Sequence, residues 1–228
     1  KDYRDCYGDT LQSVTVYGSA AGADFDPKRS DINLLLILEK VTLEALEQSL
    51  AVQEKWLKKR VARPLFMDRD YISRSLDSSP IEFLNMQGAY NVLSGEDVLA
   101  DLQISQRDLR LQAERELKGK WLHLSRDWLA VRDHRKRLQH LLQVSLGDFS
   151  AVFRALLQMR HHPVPQERKA LWDAVTEIYE LEENVFSRVQ TAAVGGDKKQ
   201  MREVFSGYVR AIENLTVKID QLPREEGP

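Results

Sequence analysis

One stretch of this chain combines residue types and spacing that could do chemistry. Tyr17-Gly18-Ser19-Ala20-Ala21-Gly22 is followed, after seven residues, by Ser30-Asp31-Ile32-Asn33-Leu34-Leu35. Gly18 has no side chain to block a phosphate from the backbone, and Ser19 adds a hydroxyl donor. The free amides of a short helix starting there would favour negative charge. Asp31 and Asn33, two apart on a strand, point to one face while Ile32 and Leu34 point into the core. Two oxygen ligands on one face suit Mg²⁺, which prefers carboxylates and also engages substrate phosphates.

The elements that must position these residues follow from the hydrophobic pattern. Ser13-Val14-Thr15-Val16-Tyr17 is rich in β formers and Ile32 to Leu38 is mostly apolar, so each reads as a strand; a helical stretch is expected from about Thr42 to Lys59. Pro64-Leu65-Phe66-Met67 is a third candidate strand, Pro80 fits the first turn of a short helix, and Asn91-Val92-Leu93 before Ser94-Gly95 reads as a last strand. Near residue 103 the texture changes to a 3.6-residue period. Leu138, Leu141, Leu142, Phe149, Val152, Phe153 and Leu156 fall on one stripe, and Met201, Val204, Phe205, Tyr208, Ile212, Leu215 and Ile219 on another. His161-His162-Pro163-Val164-Pro165 and Val194-Gly195-Gly196-Asp197 mark helix breaks. The expected fold class is α+β: a small mixed sheet over residues 1–102, then three or four long helices in an all-α up-down bundle over 103–228.

The Gly-Ser turn and the strand after it resemble the nucleotidyltransferases of the DNA polymerase β superfamily, particularly the bacterial aminoglycoside adenylyltransferase type. The resemblance covers Val14 to Leu38, with Tyr17-Gly18-Ser19, Gly22, Pro27 and Ser30-Asp31-Ile32 where such enzymes carry them. Asn91 to Asp97 is similar to the segment closing this domain, and the helices beyond are similar in architecture to HEPN-like domains. The resemblance implies that Gly18, Ser19 and Ser30 bind ATP or another nucleoside triphosphate, and that an acceptor hydroxyl attacks the α-phosphate with pyrophosphate leaving. It also implies Mg²⁺ held by an Asp-x-Asp pair and a third carboxylate. Here the pair is Asp31 and Asn33, which brings no second charge, and Arg63 to Met67, where the third acid is expected, carries none. Asp68, Asp70 and Glu82 are the substitutes, Glu82 being the one that reaches the cleft from a neighbouring element. The expected catalytic set is Asp31, Asn33 and Glu82, with Asp31 and Asn33 as metal ligands and catalysis weakened or lost; a catalytically inactive nucleotide- or partner-binding regulatory module is the alternative. In similar two-domain enzymes the helix after the domain boundary borders the cleft, which makes Arg110 and Lys118 candidates for neutralising phosphate. The competing reading is a solvated face stapled by Arg110–Glu114 and Glu114–Lys118 pairs.

Other signals carry less. Arg135 and His140 match the R-x4-H spacing of HEPN ribonucleases, but Lys136 stands where those enzymes have a small polar group, and a solvated basic run is preferred. Trp56, Trp121, Trp128 and Trp172 read as packing residues. The five histidines have no cysteine partners and no H-E-x-x-H spacing, which speaks against zinc. A composition 43% hydrophobic and 30% charged excludes a disordered chain, and a mean hydropathy of −0.44 with no long apolar run leaves no membrane partner. Lone Cys6 and the lack of a leader pattern point to the cytoplasm, and a start at Lys1 suggests missing upstream residues. The expected partners are the nucleotide and an unknown hydroxyl acceptor (small molecule, protein or RNA), and a homodimer is allowed. The net charge of −2 divides at residue 102 into −5, from 12 basic and 17 acidic side chains, and +3, from 21 and 18. An acidic metal wall facing a basic triphosphate wall would want that division.

Overall fold

A computed structural model describes residues 1–22, 25 and 30–222 of the 228. Pro27 therefore lies outside the described residues. The chain is α+β and divides into two compact units, Lys1–Ser105 and Gln106–Pro228.

The first unit is built on a four-stranded mixed sheet of order β3-β2-β1-β4, with β1 Leu11–Tyr17, β2 Asn33–Leu38, β3 Leu65–Met67 and β4 Tyr90–Gly95. β1 runs antiparallel to both β2 and β4, and β3 runs parallel to β2. The apolar run of β2 is explained by its central place, since both of its faces are covered. Leu34, Leu36 and Leu38 pack on one side with Tyr3, Tyr7 and Val61, joined by Val52, Trp56 and Phe66. Leu35 and Ile37 pack on the other with Ile72, Phe83, Met86 and Leu99, joined by Tyr17, Met67 and Tyr90.

The helices over the first face are α1 (Asp2–Tyr7), α2 (Leu43–Gln48) and α3 (Leu50–Leu57); those over the second are α4 (Arg69–Ser75) and α5 (Pro80–Gly88), with Pro80 in the first turn as expected. The single helix expected over 42–59 is broken at Ser49. That hydroxyl is fully buried, donates to the Leu46 carbonyl and accepts from Gln53, competing locally with the helix ladder.

The second unit is all helix: α6 (Gln106–Val131), α7 (Arg135–Met159), α8 (Arg168–Ile178), α9 (Val185–Gly195) and α10 (Lys198–Asp220). The breaks at 161–165 and 194–197 fall where proline and glycine placed them, and Asp197 caps α10 by accepting from the Gln200 amide. Two further breaks, after α6 and after α8, carry no proline or glycine. The second is turned by Glu180 and Asn184 at positive φ. Every residue of the expected α10 stripe is buried, and Phe149, Phe153, Phe186 and Tyr208 form a chain of ring contacts in the core.

Candidate functional site

Three strands of the first unit meet at one end of the sheet. Tyr17, last in β1, is paired with Asn33, first in β2, and with Tyr90, first in β4. Immediately past Tyr17 the backbone turns at Gly18, at φ +77, into a short 3₁₀ turn over Gly18–Ala21. The Gly18 amide donates to the Ala89 carbonyl at 2.9 Å, which fixes the turn to the segment joining α5 and β4. A Cβ at Gly18 would lie 3.4 Å from Asn33 Nδ2. Only glycine therefore gives this turn its left-handed backbone and keeps it close to the Asn33 amide. Gly18, Ser19 and Asn33 are brought together at the strand end, and half-buried Ser30 leads into Asp31 two residues before Asn33. Ile32 packs with the Leu34 side of the sheet, so strand alternation assigns Asn33 to the opposite face, the one under α5.

Asp31 faces a cation. Its carboxylate Oδ1 lies 3.5 Å from Nε of Arg60, a residue that the sequence reading passed over. Arg60 ends α3: its amide bonds the Leu57 carbonyl at 3.1 Å and the Val61 amide bonds Trp56 at 3.2 Å, the paired bonds of a Schellman closure. The left-handed position of that closure usually holds glycine, and Arg60 occupies it at φ +63. Two further backbone bonds tie this corner to the strand entering the site: Ile32 N–H to the Arg60 carbonyl and Ala62 N–H to the Ile32 carbonyl, both 2.9 Å. The signal that could have found Arg60 is a basic helix end directly followed by a buried valine, Val61, before β3.

The substitutes for the third carboxylate fall elsewhere. Asp68 and Asp70 follow β3, whose Met67 pairs with Ile37. Asp68 thus sits beside the far end of β2, five strand positions and about 17 Å from Asn33. Its carboxylate caps α4, accepting the Tyr71 amide at 2.7 Å and the Val41 amide at 3.3 Å, and those amides hold it below the usual carboxylate range. Asp68 and Asp70 are corrected on this ground: the parallel register carries them away from the site. Glu82 lies in the first turn of α5, on the face of the sheet that Asn33 shares, and is exposed. It stands about 10 Å along the helix from Ala89, the residue that contacts Gly18. Among the described residues, no group of three or more His, Cys, Asp or Glu could hold a metal ion. Of the two expected ligands, Asp31 brings one carboxylate, with a guanidinium beside it, and Asn33 one neutral amide.

Tyr17, which pairs with Asn33, and Tyr90, which pairs with Tyr17 on its other side, are both shifted by burial, which raises each phenol's pKa. Tyr90 is raised further because it donates to Asp97 at 3.0 Å.

In the second unit, Arg110 is not on a solvated face. It is 5% exposed, donates to the Asp220 carbonyl at the end of α10, and pairs with Glu114. The solvated-stripe expectation is corrected for this residue, whose charge complements the carbonyl end of α10. Lys118 is exposed and pairs with Glu114 and Asp220, Glu114 above all raising the pKa of its ammonium. Arg135 donates to the Gly196 carbonyl at the end of α9, so its half of the R-x4-H spacing is a helix cap, while His140 is exposed. Trp172 is buried and Trp128 stacks on Phe205 at 4.1 Å, both within the bundle. No helix among the described residues is long and apolar enough to cross a membrane.

A small mixed sheet with a Gly-Ser turn beside an Asp-x-Asn strand start precedes a helical unit, and a solved structure shares this fold. Among solved structures the chain is similar to a spectinomycin adenyltransferase, AAD(9) from Enterococcus faecialis, determined with ATP and spectinomycin. The TM-score is 0.54 at 10% identity, over 96% of this chain and 95% of that one. No family model and no curated protein matches the sequence.

Proposed function

We propose that the strand end formed by Tyr17 to Ser19 and Asp31 to Asn33 binds a nucleoside triphosphate, and that transfer of its nucleotide to a hydroxyl acceptor is weakened or lost in this chain. The observation that carries the reading is Gly18: a left-handed glycine packed against Asn33 leaves backbone and hydroxyl donors, with no Cβ in the way, at the end of a sheet of nucleotidyltransferase type. The similar adenyltransferase was determined with ATP, which supports the ligand class, and with spectinomycin, which makes a small hydroxyl compound the first acceptor to assay before a protein or an RNA end.

In a transfer reaction the acceptor oxygen bonds the α-phosphorus, the bond to the β-phosphate oxygen breaks, and pyrophosphate carries away the electron pair. Ser19 and the turn amides would hold phosphate oxygens. A base at Asn33 is lost, because an amide cannot take the acceptor proton. A second reading, a regulatory nucleotide-binding module, is favoured by the arrangement at the strand start: the Asp31 carboxylate is engaged by Arg60, and Asn33 brings no charge.

Calorimetric titration with ATP tests the binding, and label transfer from α-labelled ATP tests the chemistry. Heat with ATP and slow or absent transfer, raised by Asn33→Asp, is the expected pair of results. Absence of heat and of a thermal shift with every nucleoside triphosphate would remove the nucleotide reading.

A further inference from the structure

A second concentration of charge lies at one end of the helical unit, where α6 turns into α7 beside the start of α10. Residues 132–137 and 197–203 hold seven basic and three acidic side chains, a net +4 that exceeds the +3 of residues 103–228 as a whole. The two stretches meet at Asp133. Its carboxylate lies 3.5 Å from Arg132, 3.3 Å from Lys198 and 2.9 Å from Arg202, so three cations crowd on one acid. Lys136 and Arg137 are exposed and form no ion pair among the described residues. Arg135 is occupied by the Gly196 carbonyl, which leaves six cations at the surface.

Stability does not explain this arrangement. Arg135, Lys136 and Arg137 fill the first turn of α7, and Lys198 and Lys199 open α10, with no acid in either first turn. The positive end of a helix dipole favours acids there and disfavours cations. Exposed pairs such as those on Asp133 add little in return. The two stretches also expose no apolar side chain, since Met201 is the one they contain and it is fully buried. A protein interface needs an apolar centre, and a helix lying on a membrane needs an apolar face. A group of cations with neither is complementary to a phosphodiester backbone, which carries a charge at every unit and needs no pocket.

We infer that this corner docks a nucleic acid, holding its phosphodiester backbone with Arg132, Lys136, Arg137, Lys198, Lys199 and Arg202. The inference is independent of the nucleotide reading, because every residue in it lies in α7, in α10 or in the turn after α6. Forked arginine donors and lysine point charges read backbone charge, so RNA and DNA are two sources of one chemistry.

The test is fluorescence anisotropy of a labelled single-stranded RNA of about 20 nucleotides, and of DNA of the same sequence, titrated with the full chain at several salt concentrations. Binding is expected with a log–log slope in salt of about −3, as for about four neutralised phosphates on a single strand. Lys136→Glu with Arg137→Glu should weaken it at least about tenfold and make the slope shallower by about 1. That variant should melt no lower than the parent, because acids suit the first turn of α7. Lys136→Gln with Arg137→Gln, expected to weaken binding less, serves if the acidic variant fails to fold. The same reversal at Arg168 and Lys169, exposed on α8, changes the net charge equally and should leave affinity within about twofold. Tighter binding of the RNA or of the DNA identifies which of the two the corner serves and supports the inference either way. No binding of either strand at low salt overturns it, as does a loss in the α8 variant equal to that in the α7 variant. Capture by phosphatidylserine and phosphatidylcholine vesicles, lost in the α7 variant and without nucleic-acid binding, would make the corner a membrane contact and overturn it too.

Discussion

At the scale of single residues, the strand end turns on two left-handed positions, one filled by glycine and one by arginine. Gly18 cannot take a side chain without strain, since its φ is +77. Gly18→Ala is expected to cost about 1–2 kcal/mol, read from the midpoint of a urea transition. It should also weaken ATP by more than that loss of stability explains, because the turn amides shift with it. A variant that is destabilised but binds ATP like the parent would confine Gly18 to folding. Asp31 separates two views of the site more sharply. As a metal ligand, its loss should abolish binding in Mg²⁺. As a neutralising partner of Arg60, it is a negative charge beside a polyanion, held in a pair that the phosphates must compete with. On this second view Asp31→Asn is expected to raise ATP affinity severalfold, measured by calorimetric titration. A fall in affinity would return Asp31 to the role of ligand.

At the scale of elements, what places candidate acids is the parallel pairing of β2 with β3. It sends Asp68 to the far end of the sheet, where it caps α4. Its carboxyl is lowered first by the Tyr71 amide, so its contribution is fully present above the unfolded value near 3.9 and is lost as pH falls through the lowered folded value. Asp68→Ala should thus cost about 1 kcal/mol in urea unfolding at pH 7, and the gap between parent and variant should close as the pH falls below the ordinary carboxylate range. Asp68→Asn, which still caps, should show a smaller loss. The register behind this assignment could not be read in the sequence, because three residues of β3 carry no pattern that fixes which end faces the site. β2 was legible for the opposite reason: a strand buried on both faces must be apolar throughout. α7 and α10 were legible because each buries one stripe. α1 and α4 are too short for a period to show, and the break at Ser49 depends on a buried hydroxyl that looks like any helix-surface serine until its neighbours are known. In the site, Gly18, Ser19, Asp31 and Asn33 declared themselves by type and spacing. Arg60 did not, since its importance lies in a backbone conformation and in a partner 29 positions away along the chain.

At the scale of the whole molecule, the two units have separate cores and opposite net charge, and all the residues that form the strand end belong to the first. Two-sided coverage of β2 gives Lys1–Ser105 two apolar clusters of its own, one against α1 to α3 and one against α4 and α5. A unit of this size with a filled layer on each side of its sheet has what independent folding requires. The candidate cations of the second unit have partners there, Arg110 with Glu114 and the Asp220 carbonyl, Lys118 with Glu114 and Asp220. If Ser19 and the amides of the Gly18 turn supply the phosphate contacts, residues 1–105 alone should unfold cooperatively and bind ATP within about tenfold of the full chain, a difference below about 1.4 kcal/mol. A fragment that folds, by circular dichroism and a sigmoidal urea transition, yet shows no heat with ATP would mean that the helical unit contributes a contact. Lys118→Glu in the full chain would then be the variant that identifies it, because it reverses an exposed charge at the surface of α6 and leaves the buried Arg110 pair in place.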